Sequence, residues 1–541
     1  MHTVTVETRA ERTLGQVLAK RVAQCPEKPW VVTARQSLTY ADMDVLSNRL
    51  AHGFSRIGIR AGDTVLLMLA DSPAILVAWC GLAKLGAVEV PVNTHLRGSV
   101  LAHVINDSLA TTLVVDRRFV DRVEDIAPRL ESLKRLVVHD EDDAKDESRV
   151  PPELSTRFEV MPFDALRRDS DAPLAEGPRY RDLAAVMYTS GTTGPSKGVM
   201  ITHAHAYEYA LSVVELLELG GDDVYYNPLP LFHIAGQWAA VYACCIVGAT
   251  VVVPPAFSLG GFWDDVRRHR ATCTFLLGAM ANWLYGQPPR EDDRDNPMER
   301  MLIVPLLPAV EAFKERFGCL VSTTWGSTEI NVPTRSTFDL ADNRTCGRVA
   351  GDRYEVRLVD DDDVEVPPGM PGEAVVRARE PWILMAGYWN NPEGTIGAWR
   401  NQWIHSGDML MHDEDGNLYF VDRKKDAIRR RGENISSMEV ESEINAHPAV
   451  LECAVIPVEA EHTEQDVMAV LVPKEGETID PEALIRFLEP RMAYFMVPRY
   501  IEVVDALPKT QTGKIQKYAL RERGVTTATW DREAAGVIVK R

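Results

Sequence analysis

The feature that most constrains this chain is a rhythm of short, nearly unbroken apolar runs alternating with helical periodicity. Thr64 to Leu69 (TVLLML) has no inward–outward alternation, as expected of a strand buried on both faces of a sheet. Ser72-Pro73 then opens a helix with Pro at its first position, and Gly86 closes it. Ala87 to Val92 is a second apolar run. Strand, helix, strand in this order points to parallel α/β architecture. Upstream, Thr39 and Asp42 are spaced as a helix cap and its partner. Val45, Leu46, Leu50 and Phe54 follow at helical spacing, and Gly58 is a stop. The rhythm continues with strands at Leu183 to Met187 and Thr250 to Val253 and an amphipathic helix at Phe262 to His269. Asp140 to Ser148 and Gln287 to Asn296 read as exposed, charged loops.

The character changes after about residue 340, judged by turn chemistry. Tyr354 to Val359 and Glu373 to Arg377 have strand composition, punctuated by Pro367-Pro368-Gly369 and Met370-Pro371-Gly372, which suggests antiparallel β and a distorted barrel. A last unit begins near Asp426, with a helix at Glu439 to Ala446, a strand at Val450 to Val458 and a helix at Pro481 to Met492. A chain of 541 residues, at roughly 100–200 residues per domain, fits a large lobe plus a small one.

The net charge is −20, which argues against a nucleic-acid partner, since such proteins present a basic face. No polybasic stretch addresses an anionic membrane, and no run approaches the roughly 18 apolar residues of a membrane span, so stable membrane insertion is not expected. The start of the chain has no apolar signal core, and its eight cysteines form no C-x-x-C pair, so a reducing cytoplasm is the expected compartment and a zinc site is not expected.

The strongest chemical signal is Tyr188-Thr189-Ser190-Gly191-Thr192-Thr193-Gly194-Pro195-Ser196-Lys197-Gly198, placed directly after an apolar strand. Glycines let backbone approach a ligand, and hydroxyls, amides and a Lys together can surround a polyphosphate. The order is not that of a Walker A loop. By composition alone the segment also suits a flexible surface loop.

As a whole, this segment resembles the phosphate-binding signature of the adenylate-forming superfamily, which includes acyl-CoA synthetases, firefly luciferase and the adenylation domains of peptide synthetases. Further segments match that family in the same order: Pro228 to His233, Thr324 to Glu329, Ser406-Gly407-Asp408, Asp422 to Asp426 with Gly432 to Ile435, and Pro508 to Ile515. The resemblance runs from about residue 13 to 521 and implies the fold and the roles that follow. The fold would be α/β. A large N-terminal lobe of doubly wound α/β subdomains plus a β-barrel-like part would cover residues 1–425, and a small mobile α+β C-terminal domain residues 426–541.

The resemblance assigns ATP to Ser190, Gly191, Thr192, Thr193, Gly194 and Lys197, to Trp325, Gly326 and Thr328 around adenine, and to Asp408 and Arg423 around ribose and phosphate. Glu329 and Thr189 would hold Mg²⁺, a cation that bridges phosphates while keeping several waters. His233 would line the substrate carboxylate, and Lys514 would neutralise charge as that carboxylate attacks the α-phosphate. Lys425 would be the pivot of the small domain, and Gly432 would let the pantetheine arm of coenzyme A pass. Trp325 stands where Tyr is commoner, and Ser437 where many relatives have Pro. Leu302 to Pro308 replaces a Ser/Gly/Ala-rich loop beside adenine and the acyl group.

The implied activity is an ATP-dependent acyl-CoA ligase acting on a small carboxylic acid, nearest the crotonobetaine/carnitine–CoA ligase branch. The alternative is an adenylate-forming enzyme with another acceptor, such as a carrier protein, an amine or an unusual oxyanion. A quaternary ammonium substrate would want an aromatic or acidic cage, for which Trp238, Trp283 and Trp325 are candidates. A homodimer is left open.

Overall fold

The structure is a computed structural model. It describes residues 8–140, 151–189, 196–424, 428–430, 433–460, 465–492, 494, 496–509 and 514–539. Two sheets form the bulk of the large lobe. The first runs, strand by strand, Gly387–Tyr388, Lys197–Thr202, Leu183–Thr189, Val88–Pro91, Thr64–Met68, Thr112–Asp116, Arg135–His139 and Glu159–Pro162. The last six of these are parallel, and the first two add antiparallel at the edge. The second runs Leu320–Ser322, Arg300–Val304, Cys273–Leu277, Val224–Tyr226, Thr250–Val252, Pro29–Val32 and Ser37–Thr39, parallel except for the last.

Local chemistry explains the elements. Thr64–Met68 is buried at every residue, as its unbroken apolar run requires. The helix Pro73–Leu85 is buried from Pro73 to Lys84, and its apolar composition all round suits a position inside the core. Lys84 is the one charge in that helix. Its ammonium donates to Asp44 Oδ1 at 2.6 Å and Asn48 Oδ1 at 2.7 Å, which offsets the cost of taking a cation out of water. The helix Tyr40–Arg56 starts at a capping box in which Thr39 and Asp42 satisfy each other's backbone N–H groups.

Tyr354–Val359, Gly372–Ala378, Trp403–His412, Trp399–Arg400 and Leu418–Arg423 form a five-stranded antiparallel sheet, as the change in composition anticipates. The final unit has its own sheet, Val450–Glu459, Gln465–Pro473, Tyr500–Val503 and Trp530–Asp531, and its own apolar core. The chain after residue 521, which carries no sequence motif, supplies that last strand. Two helix bounds differ from the sequence expectation. The helix expected to reach Met492 ends at Leu488, because Pro490 has no N–H to continue the hydrogen-bond ladder. The helix expected from Glu439 begins at Ser437, whose N–H donates to Asp422 Oδ2 at 2.6 Å.

Candidate active site

The strand Leu183–Thr189 and its antiparallel partner Lys197–Thr202 bracket the hydroxyl-rich segment, with Thr189 paired opposite Lys197. Ser190, Gly191, Thr192, Thr193 and Gly194 lie outside the described residues. Both ends of the segment are fixed to the helix Gly98–Asp107. The Tyr188 hydroxyl donates to Asp107 Oδ2 at 2.6 Å, and His103 Nε2 meets the Ser196 carbonyl at 2.9 Å. Trp389 Nε1 donates to the Asp107 carbonyl at 3.0 Å. Gly198 is tightly enclosed, since a Cβ there would stand 2.6 Å from Val186 Cγ1 and force that side chain to move.

Thr324 to Glu329 leaves the end of Leu320–Ser322 as a loop folded tightly on itself. A Cβ on Gly326 would lie 2.2 Å from the Asn331 carbonyl oxygen, so only glycine fits. Trp325 is buried, and its indole N–H donates to Asp408 Oδ2 at 2.9 Å. Asp408 pairs with Arg423 across the antiparallel sheet, and Arg423 Nε lies 2.8 Å from Oδ1. That approach is an ion pair without hydrogen-bond alignment, so Oδ1 keeps an open acceptor. Burial raises the Asp408 carboxyl above its ordinary value, opposed by Arg423 and by the Trp325 bond.

Glu329 accepts from Ser327 Oγ at 2.9 Å and from the Tyr388 hydroxyl at 3.2 Å. No Lys or Arg among the described residues is in salt-bridge contact with it. Lys197 Nζ stands 4.9 Å over the Tyr388 ring. Lys514, from the small unit, lies within electrostatic range of this group. Burial and Arg423 depress its ammonium, while Asp408 and Glu329 act the other way. His233 is accessible to solvent but hemmed in by protein, and desolvation with help from Lys514 pushes it down to about 4. It is therefore neutral near pH 7, with Nδ1 accepting from Ala235 N at 3.2 Å. The segment ahead of it is pinned by Asp71, whose Oδ1 accepts from Leu231 N at 2.8 Å; burial raises Asp71 to about 6.

Lys514, Asp408, Arg423, Glu329 and His233, scattered over the sequence, thus share one electrostatic neighbourhood. Lys425 and Gly432 lie outside the described residues. Thr328 is buried beside Glu329. The three tryptophans considered for a cage have separate surroundings: Trp238 packs edge-on against Tyr209, Trp325 holds Asp408, and Trp283 lies exposed beside Phe257. Sequence reading missed Tyr388, Asp71, Asp107 and His103. None carries a local signal, because each acts across a distance in sequence that only folding closes.

Residues 18–389 match the AMP-binding enzyme family and residues 439–514 its C-terminal domain, so the chain belongs to the AMP-binding enzyme family. It is similar to the crotonobetaine/carnitine–CoA ligase of Salmonella paratyphi C (strain RKS4594), 33% identical over 494 residues that cover 90% of this chain and 93% of that one. The Escherichia coli O7:K1 (strain IAI39 / ExPEC) crotonobetaine/carnitine–CoA ligase is 33% identical over 516 residues, 94% of this chain and 97% of its own. Among solved structures, the anthranilate CoA ligase AuaEII in complex with anthranoyl-AMP superposes with a TM-score of 0.83 at 25% identity, covering 98% of this chain and 99% of that one. ATP-bound MatB from Rhodopseudomonas palustris gives 0.81 at 26% identity, with 94% and 99% covered. Among the described residues, no helix is long and apolar enough to cross a membrane.

Proposed function

We propose that this chain, an AMP-forming acid–thiol ligase, activates a small carboxylic acid at the Lys514–Asp408–Arg423–Glu329–His233 site and passes the acyl group to coenzyme A. The acid's carboxylate oxygen bonds to the α-phosphorus of ATP, and pyrophosphate leaves with the electrons of the broken P–O bond. The thiol of coenzyme A then loses its proton, its sulfur bonds to the acyl carbon, and AMP leaves. Lys514 supplies positive charge where the pentavalent phosphorus gathers negative charge, a term that is usually the largest in such catalysis. Asp408 offers an open acceptor to a ribose hydroxyl. Neutral His233 lines the carboxylate side without adding a charge.

Glu329, with no ionic partner among the described residues, fits a Mg²⁺ ligand, with Thr189 at the strand end as the second candidate. No group of three or more His, Cys, Asp or Glu among the described residues could hold a metal, which suits an ion held by one carboxylate, phosphate oxygens and water. Bound there, Mg²⁺ would offset phosphate charge.

Residues 1–425 and 426–541 form the two working parts, turning at Lys425. Lys424 is tied to the antiparallel sheet through Glu373 and Asp361, each at 2.9 Å, whereas Ile428 already belongs to the core of the small unit. These two attachments support a turning point between Lys424 and Ile428.

The observation that carries this reading is the buried Trp325–Asp408 pair with Arg423 beside it at the sheet edge, and Lys514 of the small unit within electrostatic range of it. AMP release from ATP, with and without coenzyme A, over a panel of acids tests it. Carnitine, crotonobetaine and aryl acids come first, because relatives carry those names. Coenzyme A-dependent AMP is the expected result. Lys514→Gln should remove at least a hundredfold from acid-dependent pyrophosphate exchange, at roughly 1.4 kcal/mol per tenfold. Undiminished exchange in that variant would refute the assignment.

A further inference from the structure

We infer that Tyr388 is a positioning residue that sets the Glu329 carboxylate and the Lys197 ammonium in register with one another. This rests on the reading of Glu329 as the carboxylate facing Mg²⁺. Tyr388 sits on the edge strand Gly387–Tyr388, which pairs with the strand that leaves the hydroxyl-rich segment: Gly387 opposite Met200, Tyr388 opposite Val199. Its hydroxyl donates to Glu329 Oε1 at 3.2 Å, and its ring lies under Lys197 Nζ at 4.9 Å. One side chain therefore touches both charged groups through different chemistry, a hydrogen bond and a cation–π face.

The strand itself is held firmly. Tyr388 N donates to Thr395 Oγ1 at 2.8 Å, Trp389 N to the Gly198 carbonyl at 2.7 Å, and Met385 N to the Glu329 carbonyl at 2.9 Å. Ser327 Oγ occupies the other Glu329 oxygen at 2.9 Å. Both carboxylate oxygens thus have a hydroxyl donor, which orients the group and leaves lone pairs free without neutralising it. A Lys or Arg in place of Tyr388 would cancel the charge that a cation needs. A Phe would let the carboxylate swing. Tyrosine does neither.

The test measures ATP affinity by calorimetry, with Mg²⁺ and separately in a chelator, for Tyr388→Phe, Tyr388→Leu and Glu329→Gln. Tyr388→Phe keeps the ring under Lys197 and loses only the hydroxyl. It should weaken ATP binding in Mg²⁺ about tenfold, the scale of one hydrogen bond to a charged group, and leave binding in chelator unchanged. Tyr388→Leu should weaken both, because Lys197 also loses its aromatic face. Pyrophosphate exchange for Tyr388→Phe should need proportionately more Mg²⁺. Equal losses with and without Mg²⁺ in Tyr388→Phe would overturn the inference and mark the residue as merely structural. A Glu329→Gln shift without a Tyr388→Phe shift would also overturn it. If Glu329→Gln itself leaves the Mg²⁺ dependence unchanged, the reading of Glu329 fails instead.

Discussion

Replacing Trp325 with Phe removes the indole N–H that donates to Asp408 Oδ2 at 2.9 Å and keeps most of the apolar contact. The acceptor is buried and faces Arg423 on its other oxygen, so water cannot readily replace the lost donor. A hydrogen bond to a charged group contributes about 1.5–3 kcal/mol, and because this one exists before AMP binds, that is the ceiling: AMP affinity should fall by the part that holds Asp408 in place for the ligand, up to about tenfold. Asp408→Asn should interact with this change. A carboxylate presents a negative oxygen to each of Trp325 and Arg423, but an amide presents one oxygen and one N–H, so one of the two must face an N–H. With Trp325 already Phe, the amide oxygen is free to turn to Arg423, and Asp408→Asn should then cost less. A double-mutant cycle on AMP affinity by calorimetry should show coupling of about 1 kcal/mol or more.

The pH dependence has a definite sign. Burial holds the Asp408 carboxyl above its ordinary value, and the Trp325 bond works against that rise. Removing the bond lifts it further. The acid-side loss of AMP affinity in Trp325→Phe should therefore begin at a higher pH than in the parent. Additive losses in the cycle, with no displacement of the acid limb, would refute the argument.

Gly326→Ala should abolish pyrophosphate exchange and lower the thermal midpoint, because its Cβ would stand 2.2 Å from the Asn331 carbonyl in a loop with no slack. Glu89 is buried with its carboxyl raised to about 8, accepting from Gln237 Nε2 at 3.0 Å, while Glu89 Oε1 and Gln237 Oε1 both lack a partner. A raised carboxyl favours the fold at low pH, and that stability is lost as pH climbs from the ordinary carboxylate range through about 8. Glu89→Gln should therefore match the parent at pH 5 and melt higher at pH 9, by about 1 °C for each kcal/mol recovered in a lobe of this size; equal midpoints at pH 9 would count against it. Lys425→Pro should slow thioester formation more than adenylation, which rapid-quench measurement of each half-reaction can separate.

Local chemistry determined the elements. An apolar run such as Thr64–Met68 can only be buried on both faces, and capping residues at Thr39 and Pro73 start helices by satisfying or lacking their own N–H groups. The order of motifs along the chain matches the family whose model covers residues 18–389 and 439–514. What the sequence could not contain is the set of contacts that aims them. Tyr388 meets Glu329 across 59 positions and Trp325 meets Asp408 across 83. A hydrogen bond depends on ångström distances between side chains, and sequence spacing sets such distances only within a helix turn or a hairpin. The antiparallel edge strand at Tyr388 and the pairing of Asp408 with Arg423 are products of sheet topology. Topology is decided by how apolar faces bury each other over the whole lobe, so it is the tertiary fold that places these charges.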